Sequence, residues 1–340
     1  MDSKQKQICN LCINNPADKT NSHIVPSFLI AMICSYDHSY KRGKELMFTL
    51  FSHSERVYTG DLPSTKYEEV FQQEELSDER IREELSNNYV AKDYVFCKNC
   101  EERLGILLEG PYSGHLFRGN LVEGHVSYMF WTSVVWRMSM TGDYDFKLTE
   151  DKEQELREKL SLYLNSGGKS FAQPVPFTYR ILYCKNFCKT NGGILRASLN
   201  EDGNVLSMII GDIAICFTWA LADLPDGYTF YGLENEFREA PVNDGSAIEC
   251  HRAICMTKLK EAVSGFFMNE VKQKIIWNKS VLLNFLWQKL GRPGNIPESL
   301  AYSLLLELYD NSVKIGERHT PQRLISLFNK YCKLYDEGKI

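Results

Sequence analysis

Two close cysteine pairs, Cys9-Asn-Leu-Cys12 and Cys97-Lys-Asn-Cys100, constrain this chain more than any other feature. A C-x-x-C pair offers two thiolates from a single tight turn, and two such pairs complete the tetrahedral set that one zinc ion takes. The 84 residues between Cys12 and Cys97 then form a loop whose ends the ion holds together. Four protein ligands leave no open position for water, so a zinc bound by Cys9, Cys12, Cys97 and Cys100 is structural and catalyses nothing. The alternative reading of the same residues is four buried free thiols.

Between the pairs lies Ser22-His23-Ile24-Val25-Pro26. The proline forces the residue before it out of helical geometry, so His23 to Val25 reads as an extended piece, with a helix opening at Ser27-Phe28-Leu29-Ile30. Asn88 to Phe96 has strand character through Tyr89, Val95 and Phe96 and runs into the second pair. A helix follows from Glu101 through Leu104, Leu107 and Leu108, with Gly110-Pro111 as its expected stop.

This order, C-x-x-C, then (Asp or Ser)-His-Ile-x-Pro, then C-x-x-C at the head of a helix, resembles the zinc-stabilised HNH endonucleases of treble-clef, ββα-metal type. It looks closest to a group of bacterial proteins that share Ser-His-Ile-(Ile/Val)-Pro-x-Phe and Cys-x-x-Cys-Glu. The likeness covers residues 9 to about 30 and 90 to 110. It implies that His23 is a general base that activates water for attack on phosphorus, and that a divalent ion stabilises the leaving oxygen. Two positions depart from the family pattern. Ser22 stands where an acidic or imidazole metal ligand is usual, and Glu101 stands where many members have a metal-binding histidine. A carboxylate is a competent hard ligand, so the resemblance makes Glu101 the expected ligand of a catalytic Mg or Mn, with Glu109 two turns along the helix as a second. The plainer role for Glu101 is to favour a helix N-terminus through the dipole.

With 340 residues, 44% hydrophobic and 24% charged, the chain has the length and composition of two or more globular domains. The expected fold class is α+β: a zinc module over 1–125 with an acidic helical insert at about 55–88, then a helical domain over 126–340 containing a small antiparallel sheet. The period-two alternation of Phe177, Tyr179, Ile181 and Tyr183 predicts one strand, and Ile194–Leu199 and Val205–Trp219 predict the rest, the last broken at Gly211-Asp212. Helical spacing predicts helices over Val126–Met138, Asp151–Leu164, Ala247–Trp277, Ser299–Tyr309 and Thr320–Tyr335.

The net charge of −5 gives no electrostatic sign of a polyanion partner. Residues 1–125 hold 14 Lys and Arg against 19 Asp and Glu, so the candidate nuclease module is the acidic part. Eleven cysteines scattered through apolar segments do not make a disulfide framework, and Met1 to Ile8 has no apolar signal core. Both point to a reducing cytoplasm, and the most apolar run, Met208 to Ala222, is short and broken by Asp212, so it reads as a buried strand and not a membrane span. The leading expectation is therefore a cytoplasmic metal-dependent HNH-type endonuclease acting on DNA or RNA, whose second region senses, targets or forms a homo-oligomer. The competing expectation is a non-catalytic zinc-knuckle protein that binds a protein or nucleic-acid partner.

Overall fold

Pro26 sets the local structure around it as its ring requires: Ser22–His23 is strand β1, and helix α1 (Ser27–Cys34) begins directly after the proline. The computed structural model describes residues 7–34, 45–50, 53–58, 77, 91–144, 146–171, 173–191, 194–219, 224–308 and 320–339. Strands β2 (Glu45–Leu50) and β3 (His53–Tyr58) form an antiparallel hairpin. Thus residues 55–58 of the expected acidic insert are strand. Its remainder lies outside the described residues apart from Ser77. Strand β4 (Ala91–Lys92) pairs antiparallel with β1, His23 opposite Ala91.

Helix α2 (Lys98–Leu104) starts straight after Cys97, earlier than the expected Glu101. Gly110-Pro111 does not stop it. A π-helical turn, Gly105–Glu109, leads into α3 (Gly110–Arg118) with Pro111 in its first turn. Widening the coil lets the Gly110 N–H reach the Gly105 carbonyl, five residues back, so the proline falls where a new helical segment begins and its missing N–H costs nothing. The real stop is Gly119, whose φ of 68° only a residue without a β-carbon adopts freely.

Helix α4 (Gly124–Thr141) is the axis of the core. From Ser127 to Ser139 every residue is buried, among them Phe130, Trp131, Val134, Val135 and Met138. Burying each such apolar side chain contributes roughly 1.5–3 kcal/mol, so this helix is a large source of the unit's stability. By contrast α5 (Glu150–Asn165) buries one stripe, Leu156, Leu160, Tyr163 and Leu164, as its amphipathic spacing predicts.

The sheet consists of β5 (Phe177–Tyr183), β6 (Leu195–Leu199), β7 (Val205–Ile210), β8 (Ile213–Trp219) and β9 (Arg252–Ala253) in the order β6-β7-β8-β5-β9. All neighbours are antiparallel except β5 and β9. The expected break at Gly211-Asp212 is a two-residue turn that folds β7 onto β8 as a hairpin, with Gly211 at φ 61°. Phe177, Tyr179, Ile181, Phe217 and Trp219 belong to the same apolar cluster as α4. Between β5 and β6 runs the short helix α6 (Phe187–Asn191), and α7 (Glu234–Glu239) packs against β5.

Helix α8 (Met256–Lys289) begins later than the expected Ala247, because residues 243–253 are used otherwise. Asn243 pairs its backbone with Tyr179 and its side chain with Cys250, and β9 joins the sheet edge. Where this segment crosses α4, the Ala247 carbonyl comes so near Gly124 that a β-carbon there would sit 1.8 Å from it. Within the same segment Glu249, buried, accepts hydrogen bonds from Tyr112 (2.8 Å), Tyr179 (2.7 Å) and the Trp131 indole N–H (3.2 Å). Desolvation pushes the Glu249 carboxyl above its ordinary range despite these donors, and burial with the neighbouring carboxylate pushes both phenols up.

The fold is mixed α+β, and its compact units are Met1–Ala262 and Val263–Ile340. One apolar cluster of the first unit runs from Cys9 to Trp219, across the 125/126 division expected from sequence. The second unit has its own core, Leu283, Trp287, Leu300, Leu304, Leu324 and Phe328, shared by the end of α8, α9 (Glu298–Leu308) and α10 (Pro321–Asp336). Thr320 caps α10, its hydroxyl accepting the Arg323 N–H at 3.3 Å.

A carboxyl raised in the folded state binds a proton more tightly there than in the unfolded chain. Its contribution to stability is whole below the ordinary carboxylate value and is lost as the pH rises through the folded value. We expect Glu249→Gln to flatten the fall in urea stability above the ordinary carboxylate range. Glu249→Ala should cost about 1–3 kcal/mol for each buried donor it strands. Equal pH slopes for wild type and Glu249→Gln would show that Glu249 does not titrate as its burial requires.

Candidate metal centre and the His23 site

Two turns that are far apart in sequence are laced together by backbone bonds before their sulfurs meet. Ile13, at φ 56°, returns its N–H to the Cys9 carbonyl, and the Cys9 N–H reaches Asn15. The Asn10 N–H then bonds to the Val95 carbonyl and the Lys19 N–H to the Phe96 carbonyl, which joins the first turn to the approach of the second. Asp18 accepts the Lys98 N–H at 2.9 Å, at the start of α2.

The result brings Cys9, Cys12, Cys97 and Cys100 together, with all four sulfurs within 4.8 Å of one another. Zinc–sulfur bonds of about 2.3 Å in a tetrahedron require sulfurs about 3.8 Å apart. Cys12 and Cys97 stand at 3.9 Å. Cys9, Cys97 and Cys100 are buried, and Asn15 donates to the Cys97 sulfur at 3.8 Å. The Cys9 thiol goes down to about 4 because the Cys100 thiol donates to it, and Cys100, as that donor and by burial, goes up. Burial also raises Cys97. A thiolate already favoured in a closed four-sulfur set can hold a metal ion such as zinc. No disulfide competes for the cysteines among the described residues.

The same lacing carries His23 to the helix after the second pair. Its backbone N–H donates to the Glu101 carboxylate at 3.3 Å. Its carbonyl accepts from Arg137 Nη1 on α4 at 2.8 Å, and the same nitrogen donates to Glu109 Oε1 at 2.8 Å. Arg137 Nε reaches the Ser133 carbonyl at 3.3 Å. Burial raises the Glu101 carboxyl, opposed by the Arg137 charge and reinforced by Glu109. Glu101 Oε2 and Arg137 Nη2 are buried without a hydrogen-bond partner among the described residues.

His23, Glu101 and Glu109 are thus brought to one neighbourhood, and Ser22 is buried beside them. Arg137 was not anticipated. Its only sequence signal is a lone charge inside the apolar run Val134-Val135-Trp136-Arg137-Met138, and a buried charge is rare unless paired. His115 and His125 lie elsewhere: His115 bonds the Asn120 carbonyl, and His125 bonds Tyr163 and Glu123.

Comparison with protein-family models, with curated proteins and with solved structures finds no match to this chain. Among the described residues no helix is long and apolar enough to cross a membrane.

Purified chain should carry about one zinc per molecule, since structural zinc binding is worth about 10–16 kcal/mol, comparable with the whole stability of a domain. Cys97→Ser should lose the metal and most soluble yield together. Elemental analysis that finds a folded, zinc-free protein would overturn the assignment.

Proposed function

We propose that the chain is a metal-dependent nuclease of HNH type that hydrolyses phosphodiester bonds, with residues 1–125 as a treble-clef, ββα-like module. The observation that carries this is that the His23 backbone N–H donates to the Glu101 carboxylate, which makes neighbours of the two residues that the motif names as base and metal ligand, beside the same four-cysteine cluster. In this reading His23 takes the proton from the attacking water. Glu101 would hold Mg or Mn, for which its buried oxygen, without a hydrogen-bond partner among the described residues, is a fitting hard donor, and the sequence expectation adds Glu109. Such an ion would supply positive charge for the leaving oxygen. Residues 126–340 serve sensing, targeting or oligomerisation, and four thiolates suit a reducing cytoplasm.

A second reading, a zinc-knuckle protein that binds a protein or nucleic-acid partner without chemistry, is favoured by two observations. Glu109 is already paired with a buried arginine, and an open groove lined by Ile8, Ile13, Trp136, Met140, Glu150 and Arg157 lies beside Cys9.

Incubation with plasmid DNA and with RNA across Mg, Mn and Zn separates the two. The nuclease reading expects cleavage that His23→Ala lowers by at least about 10², with zinc content and melting temperature unchanged. Retention of nucleic acid on a filter, with no cleavage by wild type or variant under any metal, would favour the binding reading.

A further inference from the structure

Arg137 is the only charged residue between Val126 and Thr141, and its side chain is 1% exposed. Burying a guanidinium costs several kcal/mol unless its partners recover it, so what it touches reports what it is for. Nη1 is shared by the His23 carbonyl and Glu109 Oε1, both at 2.8 Å, and Nε holds the Ser133 carbonyl. On the other side of His23, Glu101 Oε1 accepts the backbone N–H. The two backbone groups of one residue are therefore gripped by two charged side chains, one from α4 and one from α2.

We infer that Arg137 is the positioning residue of the His23 site, with Glu109 as its counter-charge, so that Glu101 is the carboxylate left to face a cation. The inference rests on the nuclease reading for the chemical value of His23. Glu109 Oε1 is held by Arg137 Nη1 at 2.8 Å, whereas the Arg137 charge reaches Glu101 without a hydrogen bond between them, so a divalent ion on Glu109 would stand nearer the guanidinium, which sets Glu109 to the arginine. Glu101 keeps one buried oxygen without a hydrogen-bond partner among the described residues, an acceptor suited to a hard cation.

The test uses the full zinc-loaded chain labelled with ¹⁵N-histidine. Arg137→Lys keeps the charge but loses the fork that reaches several acceptors at once. The double variant Glu109→Gln/Arg137→Met removes both charges, so neither is left buried alone. Both should move the His23 ring signals at fixed pH while zinc stays at about one per chain. Manganese affinity, read by electron paramagnetic resonance, should fall at least about tenfold in Glu101→Gln, the smallest loss typical even of outer-shell partners. Glu109→Gln should change it by less than about threefold, well under 1 kcal/mol. Unmoved His23 signals in both folded variants would overturn the positioning role, and equal loss of manganese in the two glutamate variants would overturn the division of labour. A wild type that binds no manganese and cleaves nothing brings down the nuclease reading and the Glu101 assignment, while the His23 signals still decide Arg137.

Discussion

Four sulfurs converging within 4.8 Å tie together two turns separated by 84 residues, and the arrangement of the N-terminal region depends on that closure. Cross-linking a loop of that length stabilises the folded state by on the order of 4–5 kcal/mol on chain-entropy grounds alone. Backbone bonds between the turns and an apolar cluster shared with α4 hold the same region. Strands β1 and β4 are two residues each, and α2 is seven. Elements so short do not stand by themselves in water. A metal at the sulfurs would add its closure to the backbone bonds that join the two turns and carry His23 towards Glu101.

Helix α4 supplies the second constraint. Its apolar residues provide most of the burial, but apolar contact is non-directional and would tolerate rotation or sliding of the helix. Two networks remove that freedom. Near the start, Trp131 joins the Tyr112–Glu249–Tyr179 set and ties α3, β5 and the segment before β9 to one point. Near the end, Arg137 ties α4 to β1 and to Glu109. Buried donors and acceptors cost too much to leave unpaired, so only one placement of α4 satisfies both ends.

The regular elements were largely legible because their signals are local. Alternation along Phe177–Tyr183 and the stripe of Leu156, Leu160 and Leu164 each state a period and a buried face. The failures also have local causes. Gly110-Pro111 reads as a stop because an α-helix cannot carry it, and only a π-turn admits it. Ala247 reads as a helix start because its neighbours suit one, yet Glu249 and Asn243 are taken by partners on other elements.

By itself the sequence determined the residue types that can bind a metal, their pairing in two turns, and the proximity of His23 and Glu101 that follows if both pairs share one ion. Those conclusions need only spacing, ligand chemistry and the stiffness of proline. The tertiary structure decided the partners of those residues. Arg137 lies 114 residues beyond His23 and Glu249 lies 118 beyond Trp131, and nothing in a local pattern reports what a buried charge meets across the core. Those meetings are settled by the packing of α4, because the cost of an unpaired buried charge is met only when the whole chain has closed around it.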